Sequence, residues 1–278
     1  QSALISGSVD IINRPALKGI DRLKKVKGVN ILAIPSNLAF THPMRMDVPP
    51  FGNNDFRMAL KLSTPRQEFM DKVLFGYGVM GNDQPLGPQF PSYDATLKPE
   101  YDLDKAKYHL KKAGLEGVKI DLSASNTSYG GAMDAAQLFQ SHWGKIGVNL
   151  NIVREPQDGY WTNVWNVKPF CTCYWGPRPV EDMILSICYL SDSPWNDTLL
   201  KNARVDELVV AARGELDQKK RTSMYQEVQH IIAAVGGTII PAFGTDVAAH
   251  RDTIGVSDQI GGGWEMDGGH YLKRWWKV

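Results

Sequence analysis

One arginine of this 278-residue chain stands in a position suited to binding an anion. Arg178 lies between Pro177 and Pro179 in the stretch YWGPRPVEDM, which joins an apolar, strand-like run to a predicted helix. A guanidinium can hold a carboxylate through two parallel hydrogen bonds, and the flanking prolines reduce the freedom that the loop would lose on binding. The alternative is that Arg178 pairs with Glu181 or Asp182 and only holds the loop.

Catalytic and metal-binding motifs are not evident elsewhere. The sequence has no GxSxG, HExxH, Walker loop or dinucleotide-binding GxGxxG. Cys171 and Cys173 would share one face of a strand, but no further ligand lies at metal-binding spacing, so we interpret them, with Cys188, as buried core residues. We predict no catalytic residue, no metal and no cofactor. The histidines are dispersed: His42, His109, His142, His230, His250 and His270.

Aromatic residues are numerous, with eight tryptophans and ten tyrosines. Several fall in loops or at the ends of predicted elements, where an aromatic ring offers a large contact area with few rotatable bonds and suits a ligand pocket. Packing of long loops against the body of the domain is the alternative for any one of them. These residues are Tyr77, Tyr93, Tyr129, Tyr160, Trp161, Trp175, Trp195 and Trp264.

Charge and hydropathy argue against several classes of protein. Lysine and arginine number 31 and aspartate and glutamate 30, which gives no electrostatic reason to expect nucleic acid or an anionic membrane as a partner. No apolar run reaches the ~18 residues that a transmembrane helix needs, so we predict that the chain does not span a membrane. A content of 43% hydrophobic residues is typical of one large or two smaller globular domains.

The hydrophobic periodicity predicts an α/β lobe. A strand, VKIDLSA, is followed by a helix, AMDAAQLFQSHWGKIG, and a second strand, VNLNIV, and this order favours a parallel pair joined by a crossover. Ligands of such lobes bind beyond the carboxyl ends of the strands, and the predicted strand FCTCYW would deliver the loop of Arg178 to that edge.

Other elements are indicated by capping and turn residues. Asp102 and Asp217 are expected to cap helices, and Thr64 to cap a helix beginning at Pro65, with Gln67 completing a capping box. A strand is expected at VNILAIP, and a helix from Pro15 to about Lys25. The proline- and glycine-rich residues 76–100 predict a long ordered loop.

Several stretches together resemble the solute-binding proteins of family 5, the extracytoplasmic receptors of peptide, nickel and opine ABC importers. The resemblance covers nearly the whole chain, and the second and third of the following stretches, in that order, are fairly specific. They are DKVLFGYGVMGNDQPLGP, YDLDKAKYHLKKAG and AARGELDQKKRTSMYQEVQHII, together with NDFRMAL and VNLNIV.

The resemblance implies a periplasmic-binding-protein-like fold in which two lobes close on a ligand and the chain crosses between them twice. By that likeness, residues 1–36 are a remnant of the first lobe, residues 37–240 the second lobe, and residues 241–278 the return to the first lobe. The expected fold is an α/β lobe with a mixed sheet and flanking helices, with the first lobe largely missing. The chain would then be a fragment of a longer receptor.

The resemblance also implies a role in ligand recognition for the position of Arg178. Peptide-binding relatives carry a tryptophan followed, three residues later, by an aspartate that meets the amino terminus of the peptide. Trp175 matches this tryptophan, but Arg178 stands where the aspartate would be, which makes an anionic, opine-like solute more plausible than an ordinary peptide. The residues expected to face the ligand are Trp175, Arg178, Trp195, Tyr174, Asn82 and Asp83.

The resulting functional prediction is a periplasmic solute receptor. It would bind a small organic ligand between its lobes and deliver it unchanged to an inner-membrane ABC permease, and so would not be an enzyme. One alternative is a hydrolase that uses a histidine and loop carboxylates, although no spacing in the sequence brings a nucleophile and a base together. Another is a chaperone-like or adhesive binding module built on the same fold.

Overall fold

A computed structural model describes all 278 residues as twelve α-helices, a short 3₁₀ turn and nine strands. The helices are α1 (Ser2–Ser6), α2 (Ile20–Leu23), α3 (Asn54–Leu62), α4 (Arg66–Lys72), α5 (Leu103–Lys112), α6 (Ala132–Gly144), α7 (Tyr160–Asn163), α8 (Glu181–Tyr189), α9 (Ala203–Gly214), α10 (Gln218–Val235), α11 (Glu265–Gly268) and α12 (Tyr271–Arg274). The strands are β1 (Ile11–Asn13), β2 (Val29–Pro43), β3 (Gly78–Met80), β4 (Lys119–Ala124), β5 (Asn149–Arg154), β6 (Cys173–Trp175), β7 (Thr238–Arg251), β8 (Ile254–Gly255) and β9 (Trp276–Lys277). None of the helices is long and apolar enough to cross a bilayer.

Two long antiparallel strands, β2 and β7, form the spine of the main sheet. The outer edge of β2 pairs with β6, and the outer edge of β7 pairs with β1 near one end and with β3 nearer the other. The strand predicted at VNILAIP therefore continues through Pro43. Its second half pairs on both edges and is mostly buried, which stabilises an extended backbone that the local sequence LAFTHP indicates only weakly.

The pairing of β2 with β7 is broken near its middle. Pro35 lies opposite Thr245 and Ala39 lies opposite Phe243, so three residues of β2 bulge out against the single residue Gly244. A Cβ atom at Gly244 would lie 3.1 Å from side-chain carbons of both Leu38 and Phe40, so glycine allows the strands to approach here. Such a bulge bends the ladder and increases its twist.

The predicted parallel pair is confirmed. β4 and β5 pair in parallel from Lys119 opposite Asn149 to Ala124 opposite Arg154, and α6 is the crossover between them. A parallel bridge from Ser123 to Cys171 then connects this pair to the segment that leads into β6. The carboxyl end of β4 is thereby fixed close to the main sheet.

Four separate clusters of buried side chains make up the core, and the smallest consists of Tyr160, Val164 and Cys171. The largest packs α3–α6 against the two sheets and contains a run of aromatic rings, among them Phe139 stacked on Trp143 at 5.1 Å between centroids. The second joins α8–α10 to Trp175 and Phe243. The third is small and lies at the other end of the spine, around Ile20 and Val247. The bulge therefore lies between a small cluster and two large ones.

The cysteines are core residues, as predicted. Cys171, Cys173 and Cys188 are all buried and unpaired. Burial is the main cause that raises the pKa of each of these thiols above its ordinary value.

Some predicted helix ends are confirmed and one is wrong. The side chains of Asp102 and Asp217 each accept two backbone N–H groups at the start of α5 and α10. The Thr64 hydroxyl does not cap α4, because it donates to the carbonyl oxygen of Leu60 at 2.7 Å and closes the preceding helix instead. Gln67 donates to Asp71 and forms no capping box. The helix expected from Pro15 is a 3₁₀ turn followed by the short α2.

The long loop of residues 76–100 is present, interrupted only by β3, and a buried ion pair holds it in place. Arg66 Nη2 lies 2.5 Å from Asp83 Oδ2, and both side chains are almost fully buried. The other oxygen of Asp83 accepts the backbone N–H of Ile240 at 2.8 Å. One carboxylate therefore ties the loop to α4 and to β7.

Removing the charge of Asp83 should destabilise the whole fold. Asp83→Asn leaves the buried Arg66 without its counter-charge, and we expect a loss of about 3 kcal/mol in the free energy of unfolding. Urea denaturation followed by circular dichroism measures this loss. Glu100→Gln, which removes the carboxylate of an exposed ion pair with Lys105, is the matched control, with an expected change below about 1 kcal/mol. Equal effects of the two substitutions would contradict the role given to Asp83.

Candidate functional site

A cavity of about 340 Å³ lies against the spine, beside the loop that follows β4. Its walls come from segments far apart in the sequence: the turn before α2, the end of α4, the start of α6, and the middle of β2 and β7. The lining residues are Arg14–Lys18, Leu38, Phe40, Val73–Phe75, Ser128–Gly131, Asp134, Tyr174 and Thr245–Val247.

The loop from β4 to α6 is held rigidly by side-chain hydrogen bonds. The Ser128 hydroxyl lies 2.8 Å from Thr172 Oγ1 and donates to the carbonyl oxygen of Ser125 at 2.7 Å. The Tyr129 hydroxyl lies 2.8 Å from Nε2 of His42, which is completely buried. Burial lowers the pKa of His42 to about 3, so this histidine is neutral near pH 7 and acts as a fixed partner for Tyr129.

The first turn of α6 also borders the cavity. Gly131 precedes the helix in the left-handed region, at φ 92°, and provides no side-chain cap. Asn126 supplies part of the missing cap, since its Oδ1 accepts the N–H of Met133 at 3.1 Å. Asp134, in the first turn, is exposed at the cavity. A Cβ atom at Gly130 would meet nothing within 4 Å, so the cavity is open at this residue.

The alternation of β6 divides two of the predicted ligand-facing residues between opposite sides of the sheet. Tyr174 lines the cavity and makes an edge contact with Trp161, at 5.6 Å between ring centroids. Trp175 packs into the second core cluster and is only 7% exposed. Of the six residues predicted to face the ligand, Tyr174 is therefore the one that lines the cavity.

Trp175 belongs to a tryptophan cluster, formed by Trp165, Trp175 and Trp195 around the carboxylate of Asp197. The indole N–H groups of Trp165 and Trp175 donate to Asp197 Oδ2 at 3.0 and 3.3 Å. Trp195 contacts both other rings at about 6 Å and is 48% exposed. Burial raises the pKa of Asp197 to about 6, against the opposing effect of the two indole donors.

Arg178 is not paired with either of the acidic residues that follow it. Its Nη1 donates to the carbonyl oxygens of Gly176 and Pro177 at 2.9 and 3.1 Å, and its Nε and Nη2 have no partner in the chain. The alternative that Arg178 pairs with Glu181 or Asp182 is therefore wrong.

The two acidic residues have other partners. Glu181 accepts the backbone N–H of Ser92 at 3.2 Å, and Asp182 binds Ser186 and Arg213. Both carboxylates thus anchor α8 to neighbouring elements, and the guanidinium of Arg178 keeps donors available.

Asn82 and Asp83 do not line the cavity. Asn82 Oδ1 accepts the N–H of Gln84 at 3.2 Å, and its amide group donates to the carbonyl oxygen of Leu97. Asp83 is engaged with Arg66 and Ile240, as described above. The polar atoms of both side chains are therefore bound within the long loop or to α4 and β7.

Several cavity residues escaped the sequence analysis. Tyr129 was among the loop aromatics, and the strand-edge rule that was used for the loop of Arg178 also applies to the loop after VKIDLSA, which would have indicated Ser128–Gly131. Phe40 and Asp246 lie inside long strands, and no local pattern distinguishes them.

No group of three or more histidine, cysteine or acidic residues is arranged to hold a metal ion.

The fold is that of the periplasmic solute-binding class of proteins. The chain belongs to family 5 of the bacterial extracellular solute-binding proteins, because residues 1–197 match the family model described as "Bacterial extracellular solute-binding proteins, family 5 Middle". This confirms both the resemblance and the predicted fold class.

Individual relatives agree with this assignment. Di/tripeptide-binding protein 1 of Pseudomonas aeruginosa is 30% identical over 82% of this chain and 44% of its own length. The dipeptide-binding protein of Pseudoalteromonas sp. SM9913, solved with Met-Leu, has a TM-score of 0.86 at 21% identity and covers all of this chain and 55% of its own. AgaA from A. tumefacien R10, solved with agropinic acid, has a TM-score of 0.87 at 18% identity, with 100% and 58% coverage. The chain thus spans about half the length of these relatives.

The raised pKa of Asp197 predicts a pH-dependent stability. Below about pH 4 the carboxyl is protonated whether the chain is folded or unfolded, and between about pH 4 and 6 the unfolded chain releases the proton while the folded one keeps it. The wild type should therefore lose on the order of 3 kcal/mol of unfolding free energy, relative to Asp197→Asn, as the pH rises from 4 to 7.

Urea denaturation of both proteins at several pH values, followed by tryptophan emission, measures this difference. Asp192→Asn removes an exposed carboxylate of the same loop and controls for the loss of one negative charge. A difference between wild type and Asp197→Asn that stays constant with pH would contradict the prediction.

Proposed function

We propose that the chain is part of an extracytoplasmic receptor of an ABC importer, which binds a small organic solute and delivers it unchanged to an inner-membrane permease. The observation that carries the proposal is the cavity, whose walls come from chain segments on both sides of the bulge in the spine. Relatives and structural neighbours named as binding proteins support it. The periplasm is the compartment that such a function requires.

The two-lobe division is part of the same proposal. Residues 1–36 and 241–278 would belong to the first lobe and residues 37–240 to the second. The bulge supports this division on β2, since it begins after Pro35, whereas on β7 it lies opposite Gly244, slightly beyond residue 240. The small core cluster around Ile20 and Val247 lies on the first-lobe side. Closure of the lobes would then be a hinge motion at the bulge, biased by contacts made only in the closed form.

A hydrolase is less well supported. The three helical histidines are each engaged with an acidic side chain: His109 with Asp55, His142 with Glu68 and His230 with Asp94. None of the three acidic partners lines the cavity. The relatives are named for binding and not for a reaction, so we propose that the solute leaves the protein chemically unchanged.

The ligand class follows from the size of the cavity and from the relatives. Its volume of about 340 Å³ falls at the lower end of the ~300–1,000 Å³ that is typical of ligand pockets. A solute of dipeptide or opine size fits that volume. The ligands of two structural neighbours, Met-Leu and agropinic acid, are of this size and support a peptide-like or an anionic, opine-like ligand.

Filling the cavity should abolish binding. Gly130 borders the cavity with open space around its Cβ position, so Gly130→Trp should fold and place an indole where the solute would lie. Native mass spectrometry of the full-length protein with a library of dipeptides and organic acids identifies the retained solutes, and calorimetry gives their affinities.

We expect Gly130→Trp to lose every solute that the wild type retains. Gly144→Trp, at the far end of α6 and likewise with open space at its Cβ position, is the matched control and should keep them. Unchanged retention by Gly130→Trp would place the solute elsewhere and contradict the proposed site.

Arg178 provides a separate test of ligand charge. Its unpartnered Nε and Nη2 groups can reach an anionic solute if closure brings the loop to it. Arg178→Ala should weaken binding of anionic solutes about tenfold or more, the value of one charge-assisted hydrogen bond. Arg213→Ala, which removes an exposed arginine paired with Asp182, is the control. Unchanged affinity of Arg178→Ala for every anionic solute would limit Arg178 to holding its loop.

A further inference from the structure

We propose that Trp264 is a positioning residue for Arg178, so that affinity for an anionic solute depends on both side chains. The inference rests on the proposed receptor function and on the anion-binding role given there to Arg178. It concerns residues 260–267 near the end of the chain, which lie over Leu32 and Ile34 of the spine.

The indole of Trp264 lies over Gly176, two residues before Arg178. A Cβ atom at Gly176 would be 3.0 Å from Cζ3 and 3.1 Å from Cη2 of the ring, which is tighter than an ordinary van der Waals contact. The same position is 3.5 Å from Nη1 of Arg178. The ring and the guanidinium are therefore neighbours over one residue, and the ring has its place because residue 176 has no side chain.

The guanidinium of Arg178 moves with the backbone that the indole covers. Its Nη1 donates to the carbonyl oxygens of Gly176 and Pro177 at 2.9 and 3.1 Å, and both acceptors belong to its own loop. Gly176 has more conformational freedom than the two prolines that flank Arg178. An indole packed on Gly176 restricts that freedom and fixes where Nε and Nη2 of the guanidinium stand.

Trp264 is itself held firmly by the residues that follow it. Glu265 binds Arg14 at 2.8 Å. The carboxylate of Asp267 is 2% exposed and binds Arg274 at 3.0 Å. These two ion pairs join the turn that carries the indole to a residue near each end of the chain.

The contact between Trp264 and Gly176 crosses the bulge of the spine. Gly262 approaches β2 before the bulge, since a Cβ atom there would lie 2.7 Å from the carbonyl oxygen of Pro35. Gly176 follows β6, which pairs with β2 beyond the bulge, at Ala39–Thr41. By the proposed division, the indole therefore belongs to the first lobe and the loop beneath it to the second. A change of angle at the bulge would change how the two meet.

Trp264 has no direct contact with a solute in the cavity, because it is not among the cavity-lining residues. An effect of Trp264 that depends on the charge of the solute must therefore pass through Arg178. A general loss of stability would instead weaken the binding of charged and uncharged solutes alike.

The first experiment compares charged and uncharged forms of the same solute on the full-length protein. The probes are the organic acids and dipeptides that the wild type retains in native mass spectrometry, together with their primary amides, and calorimetry gives the affinities. Trp264→Ala frees the loop, which binding must then order again, so it should weaken binding of the acids about fivefold or more. Binding of the amides should change less than about twofold.

A double-mutant cycle isolates the coupling between the two side chains. In an Arg178→Ala background, Trp264→Ala should change the affinity for the acids less than about twofold, because the guanidinium to be positioned is absent. Trp276→Ala is the matched control. Trp276 is 55% exposed and also packs on a glycine, but this is Gly255 of β8 and not the loop of Arg178, so its removal should leave all affinities within about twofold.

The contact itself can be tested without a ligand. Gly176→Ala places a methyl group where the indole lies, and it should lower the unfolding temperature by about 2 °C or more. In a Trp264→Ala background the methyl group has room, and the same substitution should cost less than about half as much. Equal shifts in the two backgrounds would mean that the indole does not lie on Gly176 and would overturn the inference.

The remaining outcomes distinguish this inference from the receptor proposal. Unchanged affinity of Trp264→Ala for the acids, equal losses for acids and amides, or additive effects of Trp264→Ala and Arg178→Ala would each overturn the inference and leave the receptor function intact. Unchanged affinity of Arg178→Ala for the acids, or retention of uncharged solutes only, would overturn the inference together with the role of Arg178. Failure of the wild type to retain any solute would overturn the receptor function as well.

Discussion

The pairing of β2 with β7 is the constraint on which the rest of the structure depends. The other strands of the main sheet pair with these two: β6 with the outer edge of β2, and β1 and β3 with the outer edge of β7. It brings together two parts of the chain that are very distant in sequence, and every wall of the cavity is attached to it directly or through one further element. Its loop-closure cost is large, and burial of nearly the whole of β7 offsets that cost.

Buried polar groups fix the loops that the spine alone would leave free. Asp83 holds the long loop to α4 and β7, His42 orients Tyr129 at the cavity wall, and Asp197 gathers two indoles beside β6. Each of these groups would be costly to bury without its partner, so each interaction specifies one arrangement of its loop.

The features that could be predicted from the sequence are those that local patterns encode. The parallel pair with its crossover helix, the caps at Asp102 and Asp217, and the place of Tyr174 near a strand edge all follow from periodicity and capping rules, and the family followed from extended stretches of resemblance. Long-range pairing was not predictable in the same way. Thr64 and Asp83 have the residue types of a cap and of a ligand contact, but Thr64 bonds to the preceding helix and Asp83 to partners distant in sequence.

The residues around the bulge lie against both the spine and the cavity. Leu38 and Phe40 flank the point where a Cβ at Gly244 would lie only 3.1 Å from their side chains, and both also form part of the cavity wall. A solute packed against these two side chains would press on the place where the spine changes direction. Under the proposed receptor function, occupancy of the cavity would therefore act directly on the angle between the two halves of the spine, and no separate relay would be needed to report that a solute is bound.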